Sequence, residues 1–184
     1  RFEDIVKSAT VPEFGKNRDT LLARLRKQVG QCRRYGIRIY LFSIEPAHWA
    51  SNESEHTKRH PEMASDTPEG YTKYLCPSTE AGARFLYDAM NSVFAEVPHL
   101  GGHINLTLGE FASTCLKPVS PHSDRKPSCR ACAKKRNAEV MRDILAPMAK
   151  GMHDANPDAE LIAWYYIPFA STFADWFHEI PAAC

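Results

Sequence analysis

An α/β fold with parallel strands is what this sequence predicts, and three observations predict it. Three short apolar runs read as strands, amphipathic helical stripes separate them, and the connections leaving the strands are long while those entering them are short. Strand–helix alternation joined by right-handed crossovers gives a parallel sheet. An open doubly wound sheet and a closed barrel both satisfy the pattern.

The elements follow in order. Leu22, Leu25, Val29 and Cys32 recur at spacings of three and four, one face of a first helix. Cys32 is expected there as an inert core thiol. IRIYLFSIE, 37–45, is rich in β-branched and aromatic residues and reads as a buried strand. Leu86, Met90, Val93 and Val97 mark a second helix, with Ser78 or Thr79 able to cap it and Pro98 to end it. HINLTLGE, 103–110, alternates: Ile104, Leu106 and Leu108 face one way, His103, Asn105 and Thr107 the other. Met141, Ile144, Leu145, Met148 and Met152 make a third helical stripe, in which Pro147 should introduce a kink by removing a backbone donor. ELIAWYYI, 160–167, reads as the third buried strand.

The entering connections are Tyr35-Gly36, Pro98 to Gly102, and Asn156-Pro157-Asp158; the leaving ones span 46–77 and 111 to about 133. In α/β barrels and sheets, chemistry sits on the loops beyond the strands' C-terminal ends. No G-x-G-x-x-G or G-x-x-x-x-G-K-[ST] follows a strand, which removes the main support for a nucleotide-binding sheet.

Bulk properties narrow the classes further. The 184 residues are 43% hydrophobic and 24% charged, with a net charge of +1. That is ordinary globular composition, and it directs the chain neither to nucleic acid nor to a membrane surface. The apolar runs fall well short of the roughly 20 residues that span a bilayer. The chain opens at Arg1 and closes on STFADWFHEIPAAC, which looks like the start of another element; 1–184 therefore reads as one domain's worth of a larger protein. Six cysteines are too few for a disulfide scaffold of this size. The cytoplasm is the expected compartment, with disulfides open to it if the protein is exported.

Two strands end in glutamate on the long-loop face, Glu45 and Glu110. Glycoside hydrolysis uses paired carboxylates, one protonated to assist the leaving group and one charged against the oxocarbenium. A partly desolvated Glu110 suits the acid's role. His48 and Trp49 follow Glu45 and could contact a sugar hydroxyl and stack on a ring; a packed loop accounts for them equally. His103, Asn105, Trp164 and Tyr165 are further substrate-contact candidates, with core packing as the alternative for each.

The cysteines pose a separate question. Cys115, Cys129 and Cys132 are spaced C-x13-C-x2-C, and C-x2-C places two thiolates within reach of one tetrahedral metal. Cys115 would be the third ligand and His122 or Cys76 the fourth of a structural zinc site. Free buried thiols, or a disulfide in an exported protein, are the alternatives. Arg125, Lys126, Arg130, Lys134, Lys135 and Arg136 surround the cluster, but the charge is local and no aromatics interleave, so nucleic acid is not the expected partner.

Together the strands resemble the β-N-acetylhexosaminidases of glycoside hydrolase family 20. LFSIEPAHW is similar to that family's P-E-I-D-x-P-G-H strand end, HINLTLGE to its H-x-G-G-D-E with Glu110 at the general acid, and LIAWYY to its G-W strand through Trp164. The cysteine loop is closer to uncharacterised bacterial proteins with a similar barrel strand. The resemblance implies a partial (β/α)8 (TIM) barrel of about three consecutive units, a carbohydrate substrate, and no cofactor for catalysis. Gly109 stands where the family has the Asp that polarises the substrate's acetamido group. Its absence supports the alternative, a non-catalytic carbohydrate-binding or zinc-stabilised interaction module.

Overall fold

The computed structural model describes residues 2–44, 55–67, 73–107 and 129–165. Among these are four α-helices, α1 (Arg18–Arg33), α2 (Glu55–Arg59), α3 (Glu80–Phe94) and α4 (Asn137–Ala155), and three strands, β1 (Tyr40–Ser43), β2 (Gly102–Thr107) and β3 (Glu160–Tyr165). The strands form one parallel sheet in the order β1-β2-β3. The chain packs as two compact units: Arg1–Ser43 with Arg84–Asn105 and Pro147–Ile162, and Ile44–Ala83 with Leu106–Ala146 and Ala163–Cys184.

In the first unit, α1 is held by few contacts. Leu22 and Val29 are buried, but Leu25 and Cys32 are only half-buried, so Cys32 is not the core thiol its stripe predicts. The helix is polar around most of its circumference, which leaves its stripe two residues wide. Two side chains at roughly 1.5–3 kcal/mol each make a light anchor, supplemented by Arg18 Nη2 donating to Ser92 O at 2.7 Å. Gly36, at φ 71°, then turns the chain: its N–H bonds Arg33 O and that of Ile37 bonds Cys32 O, the paired bonds of a Schellman close.

The predicted stripes of α3 and α4 are the core. Leu86, Met90, Val93 and Val97 are buried in the first unit with Met148 and Met152, while Met141 and Ile144 are buried in the second. Helix α4 continues through Pro147 without a break in its assignment. In the first unit its Gly151 lies against Tyr87 O of α3, so close that an added Cβ would sit 2.2 Å from that oxygen. Asn91 Nδ2 donates to Gly151 O at 3.1 Å and fastens the same crossing.

The sheet departs from the sequence expectation in length and in burial. β1 pairs with β2 from Tyr40↔Gly102 to Ser43↔Asn105, four positions where nine were expected. Just upstream, Arg38 donates to Gly101 O and Asp158 O and pairs with Glu160 at 3.2 Å. Tyr40 OH bonds the Glu160 carboxylate, which lowers the pKa of Glu160 and raises that of Tyr40. These side chains come close above Gly102, where a Cβ would lie 2.8 Å from the Tyr40 ring and 2.0 Å from Glu160 O. A strand buried on both faces was expected for β1 and β3, yet Phe42, Ile162 and Trp164 are about half exposed. The polar row of Ser43, His103 and Asn105 is buried, as is Leu106 on the other row of β2. β1 and β3 flank β2, and period-two alternation turns one row of each outward.

The second unit contains α2, a 3-10 turn at Pro61–Met63 and an antiparallel bridge, Ala64↔Leu75, inside what reads in sequence as a loop. Ser65 N–H bonds Tyr74 O and Cys76 N–H bonds Met63 O, both at 2.8 Å, and Met63 and Leu75 are buried. No helix among the described residues is long and apolar enough to cross a membrane.

Candidate metal centre

Cys76 is fixed by its backbone. Its N–H is bonded to Met63 O, and its carbonyl accepts from Thr79 N–H at 3.2 Å and Thr79 Oγ1 at 2.9 Å. Thr79 Oγ1 in turn accepts Gly82 N–H at 3.0 Å, so Thr79, rather than Ser78, caps α3. Gly82 has no Cβ for good reason, since one would fall 2.1 Å from Cys76 O. Cys76 therefore sits immediately before a helix whose first turn nests on its carbonyl.

Cys129 and Cys132 arrive on a single turn. Ala133 N–H bonds Cys129 O at 2.8 Å and Lys135 N–H bonds Cys132 O at 2.9 Å, bringing the two sulfurs of C-x2-C to one side. Arg130 N–H bonds Asp66 O at 2.9 Å and ties the turn to the bridge segment that also holds Cys76. The three Sγ atoms all lie within 4.8 Å of one another, and all three residues are buried. Cys76 Sγ and Cys132 Sγ are 3.8 Å apart. Tetrahedral zinc with Zn–S bonds of about 2.3 Å separates its sulfurs by roughly 3.8 Å, so this pair is at ligand spacing without rearrangement. The cluster can hold a metal ion.

The thiols share their protons unequally. Hydrogen bonds from Cys132 and Cys76 hold Cys129 far below the ordinary thiol range. The bond to Cys129, then that to Cys132, then burial push Cys76 far above it. One sulfur is thus poised as the thiolate that the others solvate, the form that ligates metal.

A second polar group adjoins the sulfurs. Ser78 Oγ is 3.6 Å from Cys132 Sγ and donates to Asp143 Oδ2 at 2.8 Å. Lys135 Nζ donates to Ser78 Oγ at 3.0 Å and to Asp143 Oδ2 at 2.5 Å. Burial pulls the Lys135 pKa down, but Asp143 and the charge on Cys132 and Cys76 hold it above its ordinary value. A cation is therefore kept beside a cluster that becomes anionic when it ligates.

Cys129, Cys132 and Cys76 are brought together, Cys76 being one of the two candidates for the fourth ligand. Cys115 and His122 lie outside the described residues, as do Glu45, His48, Trp49 and Glu110. His103 and Asn105 are fully buried on β2. His103 Nε2 is 2.9 Å from Ser43 Oγ, and its ring meets Phe2 at 5.4 Å. Burial lowers its pKa to about 4, partly opposed by a bond to Asn105. Trp164 is half exposed on β3, and Tyr165 ends that strand, its side chain lying outside the described portion.

No protein-family model, curated protein or solved structure matches this chain.

Sequence reasoning missed Ser78, Lys135 and Asp143. Lys135 stood within the basic run, and Ser78 was weighed only as a cap. Three of the four described members of that run are paired locally. Arg130 pairs with Asp66, Lys135 with Asp143, and Arg136 with Glu139, whose carboxylate also accepts Arg136 N–H at 2.7 Å.

Proposed function

We propose that Cys76, Cys129 and Cys132 hold a structural zinc ion in a protein that acts on carbohydrate glycosidic bonds. One observation carries the zinc assignment: three buried sulfurs converge within 4.8 Å, two of them from positions 56 apart in the chain. Three soft, buried sulfur donors suit zinc over the oxygen-seeking cations. Bound zinc supplies cohesion here, joining the turn at Cys129–Cys132 to the segment before α3. A reducing compartment such as the cytoplasm keeps these thiols available.

The parallel pairing of β1 with β2 favours the glycoside hydrolase reading. Their chains leave the sheet at the same edge, β1 at Ser43 and β2 at Thr107, two residues before Glu45 and three before Glu110. On this reading the sheet is part of a (β/α)8 barrel, Glu110 is the general acid, and Glu45 with His48 and Trp49 contacts the sugar. A non-catalytic carbohydrate-binding module is the competing assignment, because Gly109 replaces the family's Asp.

Two measurements test these assignments separately. Elemental analysis of the purified protein should find one zinc per chain, lost in Cys129→Ser/Cys132→Ser; a metal-free protein sinks the zinc assignment. A panel of aryl glycosides should include one that is cleaved, with Glu110→Gln slower by ~10²–10⁴. A Glu110→Gln protein as active as its parent removes Glu110 from the mechanism, and binding of sugars without turnover favours the non-catalytic module.

A further inference from the structure

Apart from the thiol cluster, the first unit carries a basic groove at the end of α1. A cavity of about 520 Å³ is lined by Arg26, Arg33, Arg34 and His99 over a floor of Val29 and Pro98. None of its lining residues is acidic. Arg26, Val29 and Arg33 share one helical face at spacings of three and four, and Arg34 is the C-cap of the helix. Gly30 lies in the middle of that face, and an added Cβ there would meet nothing within 4 Å. The guanidinium groups therefore surround a gap rather than a packed contact. Arg26 is paired with Glu96 at 3.1 Å, whereas Arg33 and Arg34 have no ion pair among the described residues.

The second observation concerns His99, at φ 70°, the one described non-glycine residue in the left-handed region. It occupies the third position of the turn Val97–Leu100, after Pro98, closed by Leu100 N–H to Val97 O at 3.3 Å. Glycine is the favoured residue at such a position, because a Cβ there is strained. The helix dipole accounts for Arg33 and Arg34 at the end of α1, but it gives no reason for a histidine at a positive φ. His99 lines this cavity and also an adjoining one of about 370 Å³. Strained residues of this kind gather at ligand sites, where the side chain offsets the backbone cost.

We propose that this groove binds a tetrahedral oxyanion ester, a phosphate or sulfate monoester, through Arg33, Arg34 and His99. Guanidinium forks match such oxygens in pairs, and the imidazole supplies a further donor. Val29 and Pro98 offer apolar surface to the esterified group. Arg38, Leu100 and Asp158, which immediately precede the three strands, line the adjoining cavity. The groove is thus at the sheet edge opposite the chain exits that lead to Glu45 and Glu110.

The test is an NMR titration of the full chain with phenyl phosphate and with phenyl sulfate. Saturable one-to-one shifts at α1 and the Val97–Leu100 turn are expected, and the tighter of the two probes identifies the ester. Arg33→Ala/Arg34→Ala should weaken binding roughly tenfold or more. Lys27→Ala, on the same helix but outside the groove, should leave it unchanged. His99→Gly should weaken binding while raising Tm by roughly 2–4 °C as strain is released. The proposal is overturned by the absence of saturable shifts with both probes, by a Lys27→Ala effect equal to that of the arginines, or by a His99→Gly protein that melts lower.

Discussion

Cys76 and Cys132 are 56 positions apart in the chain and 3.8 Å apart at sulfur. Each is also fixed independently by its own backbone. Cys76 is fixed by Met63 O and the capped start of α3, and Cys132 by its own helical turn. The backbone hydrogen bonds on both sides preform the site, so metal binding adds its free energy to an existing arrangement.

Removing zinc should therefore destabilise the parent protein and leave a ligand-deleted variant nearly unaffected. At free zinc a thousandfold above Kd, linkage gives about 4 kcal/mol. A chelator should lower the Tm of the parent by several degrees and change that of Cys76→Ser little. Equal chelator responses in the two proteins would show that Cys76 is not a ligand.

Lys135 is held beside the cysteine cluster by Asp143 and Ser78. Lys135→Met removes that charge while keeping most of the side chain's bulk. Competition against a chromophoric chelator should show zinc affinity weakened roughly tenfold, the usual effect of losing an outer partner. Unchanged affinity would confine the lysine to its pairing with Asp143.

His103 gives the fold a defined acid sensitivity. Its pKa is about 4 when buried, against 6.5 when exposed. Above pH 6.5 it is neutral in both states. As the pH falls from 6.5 to 4 the unfolded chain takes up the proton and the folded one resists it, so stability is lost by about 3 kcal/mol in all. Urea unfolding at pH 7 and pH 4 should show this loss in the parent and its absence in His103→Gln. Parallel pH profiles for the two would contradict it.

Two helical glycines should respond in opposite directions to alanine. Gly30 has open space around its missing Cβ, and Gly30→Ala should stabilise by about 0.5–1 kcal/mol through helix propensity. Gly151 is pressed against Tyr87 O, and Gly151→Ala should destabilise by about 1–3 kcal/mol despite that same propensity. Thermal melts decide both; a stabilised Gly151→Ala would mean that the α3–α4 crossing is looser than described.

Much of this was legible in the sequence, because it is written over short distances. The stripes Leu86, Met90, Val93 and Met141, Ile144, Met148 state their helices through a period of 3.6, and the C-x2-C spacing states a one-turn pair of sulfurs. The order of strands and helices followed from the same local patterns. Tertiary structure decided the rest. Cys76, one of two candidates in the sequence, joins the cluster through a bridge between Ala64 and Leu75 and a cap at Thr79, contacts without a sequence period. The sheet's burial was decided in the same way. Alternation sorts His103 and Asn105 from Ile104 and Leu106, but which row is covered depends on what packs against it. Here His103 of the polar row is buried against Ser43 and Phe2, and Leu106 of the other row is buried too. A local period records which residues share a face, whereas partners more than fifty positions apart are chosen only when the chain has folded.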